Sequence, residues 1–105
     1  MFKIVANPTF QCKVQISIPG IEKPGTINVE FAHLTRQALK AFYEEMKTSE
    51  ENDAFHLRKI IVGWSGVDTP YSTEALDDLL DHYPAAAREL FAAYSAELME
   101  SKRKN

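Results

Sequence analysis

The stretch Gly63-Trp64-Ser65-Gly66-Val67-Asp68-Thr69-Pro70-Tyr71-Ser72 gathers a serine, an aspartate, two glycines and the chain's one tryptophan. Those residue types can build a hydrolytic loop, so this is where a catalytic site would be sought first. A serine nucleophile needs a base to take its proton and a tight strand-to-helix turn to present it. Ser65 stands in Trp-Ser-Gly, which lacks the G-x-S-x-G spacing of a nucleophile elbow. The available bases, His33, His56 and His82, are isolated from one another in sequence. A second constellation is Asp78 with His82, four residues apart on a helix period and therefore able to face one metal ion. Two ligands without a third or fourth make an ordinary surface pair. Cys12 is the only cysteine, so neither an internal disulfide nor a multi-cysteine zinc site can form, and a reducing compartment fits. Gly20, Gly25, Gly63 and Gly66 are too scattered for a phosphate-binding loop. These residues predict a protein that is not an enzyme and that holds no cofactor and no metal.

The 63–72 stretch reads instead as a joint. Gly63 is placed to end a helix, Gly66 and Asp68-Thr69-Pro70 turn the chain, and Ser72 is placed to cap the next helix. Trp64, close behind Ile60 and Ile61, is expected to be largely buried as the anchor of that joint.

The elements around it follow from a change of period. Phe10, Cys12, Val14, Ile16 and Ile18 alternate with polar residues, as do Ile27, Val29 and Phe31. A period of two describes two strands with one buried face each, joined by a loop that Pro19-Gly20 and Pro24-Gly25 punctuate. Phe2, Ile4 and Val5 could supply a further short strand. Beyond Phe31 the period becomes helical. Leu39, Phe42, Tyr43 and Met46 make one stripe behind a Thr35 cap. Residues 53–62 make a second helix with a broad apolar face. Leu76, Leu79, Leu80 and Tyr83 make a third, and Ala87, Leu90, Phe91, Tyr94 and Leu98 a fourth starting near Pro84. The expected fold is α+β: an N-terminal antiparallel β-hairpin or small sheet followed by about four packed α-helices. At 105 residues the chain is expected to be one domain, with a β unit at 1–31, a helical part at 35–99 and a basic tail at 100–105.

Charge narrows the partners. Residues 1–67 carry 8 Lys/Arg against 7 Asp/Glu, whereas residues 68–100 carry 8 acids and only Arg88. An acidic back third argues against a nucleic-acid surface. No apolar run approaches the roughly 20 residues needed to span a bilayer, so no membrane partner is expected. The fourth helix is widened by Ala85, Ala86, Ala92, Ala93 and Ala96. That is first the mark of a strong helix former, and second a smooth face on which another helix could dock.

The pieces "NPTFQCKVQISIPG" (7–20), "FAHLTRQAL" (31–39) and "GWSGVDTPYSTEALDDLLDHYPAAARELFAAY" (63–94), with the short basic tail, resemble the tail assembly chaperones of long-tailed bacteriophages and prophages. The resemblance covers nearly the whole chain and brings no catalytic residues with it. It implies a small, mainly helical or α+β protein that binds the tape measure protein, keeps it soluble and assists polymerisation of the tail tube protein. It also implies action in the cytoplasm of the bacterial host and absence from the mature virion. The expected client surface is the helical back third, with Leu90, Phe91 and Tyr94 as the candidate partner-binding residues. Association into a homo-oligomer is left open. The alternative is a structural tail component, such as a tube or connector protein, for which the β-hairpin front would be suited. A third class, a small DNA-binding regulator, would need a basic recognition helix, and none is found.

Overall fold

The computed structural model describes residues 1–99; the basic tail at 100–105 lies outside the described residues. Two strands come first, β1 (Thr9–Ile16) and β2 (Gly25–Ala32). They pair antiparallel from Thr9↔Ala32 to Ile16↔Gly25, so the alternation predicted from sequence sets the register. Cys12, Val14 and Ile16 turn inward, as do Val29 and Phe31, while Gln11, Lys13 and Gln15 face solvent. The connection opens with a turn over Ile18-Pro19-Gly20-Ile21. Ile21 N–H donates to the Ile18 carbonyl at 3.0 Å, and Gly20 sits at φ 80°. Proline followed by a left-handed glycine is the pairing a type II turn requires.

Helix α1 (Arg36–Thr48) follows. Thr35 caps it as expected, its hydroxyl accepting from Ala38 N–H at 3.1 Å, and Leu39 and Phe42 enter the core. Helix α2 (Asp53–Leu57) is much shorter than its predicted range of 53–62. Asn52 caps its start at Phe55 N–H. Its end tightens, with Lys59 N–H bonding to the His56 carbonyl and Ile60 N–H to the Leu57 carbonyl.

The chain then enters a strand, β3 (Ile61–Ser65), where the sequence period had suggested helix. Isoleucine, isoleucine and valine in a row have stiff, β-branched side chains that suit a pleated surface better than a helix. A short apolar run leaves the period ambiguous, and pairing with a waiting edge of β2 decides it. Gly63 therefore does not end a helix. It lies in mid-strand opposite Glu30, and its φ is not positive. The third strand is likewise not built from Phe2, Ile4 and Val5, which remain 91%, 92% and 78% exposed. The sheet order is β1-β2-β3, all antiparallel. A register shift at Glu30/Phe31 pairs Phe31 with Ile61 and leaves Val62 between partners, 50% exposed.

Two further helices close the core. Helix α3 (Thr73–His82) is capped by Ser72, whose hydroxyl accepts from Ala75 N–H at 3.0 Å. Helix α4 (Ala86–Met99) starts after Pro84-Ala85 and lies along β1. Residues from β1, β2, β3, α1, α2, α3 and α4 share one buried cluster, centred on Val29, Phe31, Leu57, Ile60, Leu76, Leu90 and Tyr94. The architecture is thus an N-terminal antiparallel hairpin completed by a third strand from mid-chain, with four helices packed on it.

Candidate functional site

The stretch that suggested chemistry turns out to be the end of β3 and the turn leading to α3. Gly66 has φ 77°, a left-handed conformation that glycine adopts without strain, and there the chain leaves the sheet. Trp64 packs against the core without being fully buried. It stands on an edge strand, opposite Val29. Its indole N–H donates to the Thr69 carbonyl at 2.8 Å, and its ring meets Tyr71 edge-on at 5.0 Å. Those contacts fold the 66–71 turn back over the strand, so the predicted joint is real although its first half is a strand.

Ser65 is exposed, and among the described residues no side-chain hydrogen bond joins it to a histidine. His33 is half-buried and His82 exposed. His56 is buried at 3% exposure, and neither of its ring nitrogens has a hydrogen-bond partner among the described residues. Its neighbours are the rings of Phe55 and Phe42, at 5.2 and 6.4 Å. Among the described residues no three His, Cys, Asp or Glu side chains group in a way that could hold a metal ion. Asp78 and His82 both line a groove.

That groove has a volume of about 550 Å³. It lies between the hairpin end of the sheet and α3. Ile16, Ile18 and Ile27 form one wall, Leu79 and Tyr83 the other, and Trp64 closes one side. Asp68, Asp78 and His82 stand among its lining residues, which include no Lys or Arg among those described. Of the other nearby acids, Asp77 is engaged by Arg58 at 3.4 Å. A groove that combines aliphatic and aromatic walls with acids and no bases suits a segment that carries aliphatic or aromatic side chains and a positive charge. Sequence reasoning missed the groove because its walls come from residues 16–27 and 64–83, which meet only once β3 is seated. The acidic run after residue 67 was the legible part of it.

The candidate partner-binding trio divides. Leu90 is 0% and Tyr94 1% exposed, both inside the core, while Phe91 is half-buried on α4. Tyr94 stacks on Phe10 at 5.8 Å and tilts against Phe31 at 5.0 Å. Its hydroxyl donates to the Ala32 carbonyl at 2.9 Å. Burial, with a smaller contribution from neighbouring Tyr43, pushes its ionisation up to about 12. These side chains bind α4 to the sheet. Ser17 does the same at the other end of β1, where its N–H donates to the Glu89 carboxylate at 2.9 Å.

No helix among the described residues is long and apolar enough to cross a membrane. No curated protein sequence and no solved structure matches the chain. One family profile does, that of the phage tail assembly chaperones, and it aligns with residues 1–105. The match takes in the sheet, both walls of the groove and all four helices, and on that full-length agreement the chain belongs to the phage tail assembly chaperone family.

Proposed function

We propose that the protein acts during tail morphogenesis by holding the tape measure protein in solution and delivering it to the polymerising tail tube protein. The family membership supports a chaperone role. The observation that carries the finer reading is the groove, lined by Ile16, Ile27, Trp64 and Leu79 together with Asp68 and Asp78, and by no Lys or Arg among its described lining residues. A tape-measure client is a long helical chain whose amphipathic segments aggregate unless their apolar faces are covered. A short segment with apolar anchors and a Lys or Arg would seat its anchors between Ile27 and Leu79 and its charge against the acids. Phe91, half-buried on α4 and outside the lining of the groove, is a separate candidate contact, while Leu90 and Tyr94 lie in the core. The reading needs no cofactor, metal, nucleic acid or membrane. It places the protein in the host cytoplasm and outside the finished virion.

The test is co-expression with the cognate tape measure protein. The wild-type chain is expected to raise the soluble fraction of the client and to co-purify with it. Asp68→Lys/Asp78→Lys and Phe91→Asp, checked for unchanged melting, are expected to reduce both. A wild-type chain that neither co-purifies nor improves solubility defeats the reading. Recovery of the protein from purified virions would favour a structural tail component instead.

A further inference from the structure

Strand β2 runs past the end of its neighbour. The last pair between β2 and β3 is Asn28↔Ser65, so Gly25, Thr26 and Ile27 have no strand partner on that side. All three line the groove. Gly66, at φ 77°, turns the chain away there. The bond from the Trp64 indole N–H to the Thr69 carbonyl at 2.8 Å holds the turn folded back. The sheet therefore ends in a step, and the open edge of β2 faces the groove.

The register shows which backbone groups that edge offers. Along a strand, successive residues direct their N–H and C=O to opposite sides. Ala32 N–H donates to the Ile60 carbonyl at 2.7 Å, on the β3 side, and His33 N–H to the Pro8 carbonyl at 2.8 Å, on the β1 side. Pairing with β1 is unbroken from Thr9↔Ala32 to Ile16↔Gly25, so this alternation carries back along β2 without a slip. Thr26, an even number of residues from Ala32, thus points its N–H and C=O toward the groove, where no backbone group among the described residues bonds to them. The far side of the hairpin is treated differently: just past β1, the Ser17 N–H is taken by the Glu89 carboxylate at 2.9 Å. An unguarded backbone edge beside side-chain pockets is a template for an added strand.

We infer that the groove takes its client segment in extended form, as a short strand added to β2 beside Thr26, and not as a helix. The inference rests on the groove being the client site proposed above, and it names the conformation and pattern that the site selects. One client residue exchanges both hydrogen bonds with Thr26. Its two chain neighbours then point to the opposite face, where Ile16 and Ile27 meet α3 across the groove. An apolar residue at one of them contacts Ile27 and Leu79, and a Lys or Arg at the other faces Asp78. The pattern recognised is an apolar and a basic residue two apart, a strand spacing, whereas a helix presents such a pair three or four apart.

The probe is a synthetic peptide with isoleucine and lysine two apart among serines and threonines, beside a control of the same composition with the pair four apart. Binding is read by fluorescence anisotropy, and strand addition by hydrogen exchange at the Thr26 amide. The first peptide is expected to bind and to protect that amide, which exchanges freely without it. Thr26→Pro removes the outward N–H and no hydrogen bond of the hairpin, a place where strands tolerate proline. It should weaken binding roughly tenfold. Thr26→Val keeps the N–H and should bind like wild type, and Asp78→Lys should weaken binding several-fold. A Thr26 amide already protected in the free protein, or unprotected with peptide bound, overturns the inference, and this readout needs no variant to fold. So does a folded Thr26→Pro that binds fully, a control peptide that binds equally, or a first peptide that fails to bind at about 1 mM. Wild type and Thr26→Pro are then co-expressed with the tape measure protein. A client held equally by both sinks the added strand alone. A client that never binds, beside a peptide that protects Thr26, sinks the chaperone reading and leaves the strand site standing.

Discussion

Replacing Tyr94 by phenylalanine removes one oxygen atom from the core and should be felt well beyond its size. The ring is 1% exposed and packs between Phe10 and Phe31, contacts that phenylalanine keeps. What is lost is the hydroxyl that donates to the Ala32 carbonyl at 2.9 Å, a bond that ties α4 to the end of β2. Leaving that acceptor without this donor in a part-buried setting costs about 1–2 kcal/mol. In a domain of this size such a loss lowers the melting temperature by roughly 4–8 °C per kcal/mol. The pH dependence is a stricter check. The hydroxyl ionises near 12 in the folded protein, against about 10 when unfolded. Its protonated form is therefore favoured by folding. The stabilisation this represents is fully present below pH 10 and disappears as pH rises through about 12. Urea melts of wild type and Tyr94→Phe at pH 7, 9, 10 and 11 should show a constant gap up to about pH 10 that narrows above it. A variant as stable as wild type at pH 7 would mean that the hydroxyl bond contributes nothing. A gap that widens at high pH would mean that the hydroxyl is not the buried, neutral group described.

Two further substitutions probe rings packed in or against the core. His56→Leu replaces a buried imidazole that lacks hydrogen-bond partners among the described residues, and it should raise stability by about 1 kcal/mol, read as a higher melting temperature. A lower melting temperature would show that the imidazole nitrogens are satisfied in solution. Trp64→Ala should cost about 2 kcal/mol, below the 3–5 kcal/mol typical of a fully buried aromatic. Native tryptophan emission should be partly quenched by iodide, and emission fully protected from iodide would contradict a half-buried ring.

The hairpin was legible because its information is local. Phe10 to Ile18 and Ile27 to Phe31 alternate strictly, Pro19-Gly20 specifies the turn, and a one-residue slip would expose the whole buried face. Thr35 and Ser72 were legible as caps for the same reason, since each satisfies a backbone N–H three residues along. Leu90 and Tyr94 were correctly read as an apolar stripe. Periodicity alone does not say whether such a stripe meets the chain's own sheet or a partner, and the packing of α4 on β1 turned them inward.

The sequence by itself determined the α+β class, the change from strands to helices after β2, the caps, the acidic back third and the family. Only the tertiary structure decided the fate of residues 58–65. Their apolar run satisfies a helix face and a strand equally well, and the balance is set by the open edge of β2, whose backbone groups accept β3 as a partner. That choice seats Trp64 opposite Val29 and brings the hairpin end against α3. The groove depends on that choice: its walls, Ile27 and Leu79 at their nearest, lie 52 residues apart in the chain (79 − 27), and long-range pairing, which no local pattern encodes, is what joins them.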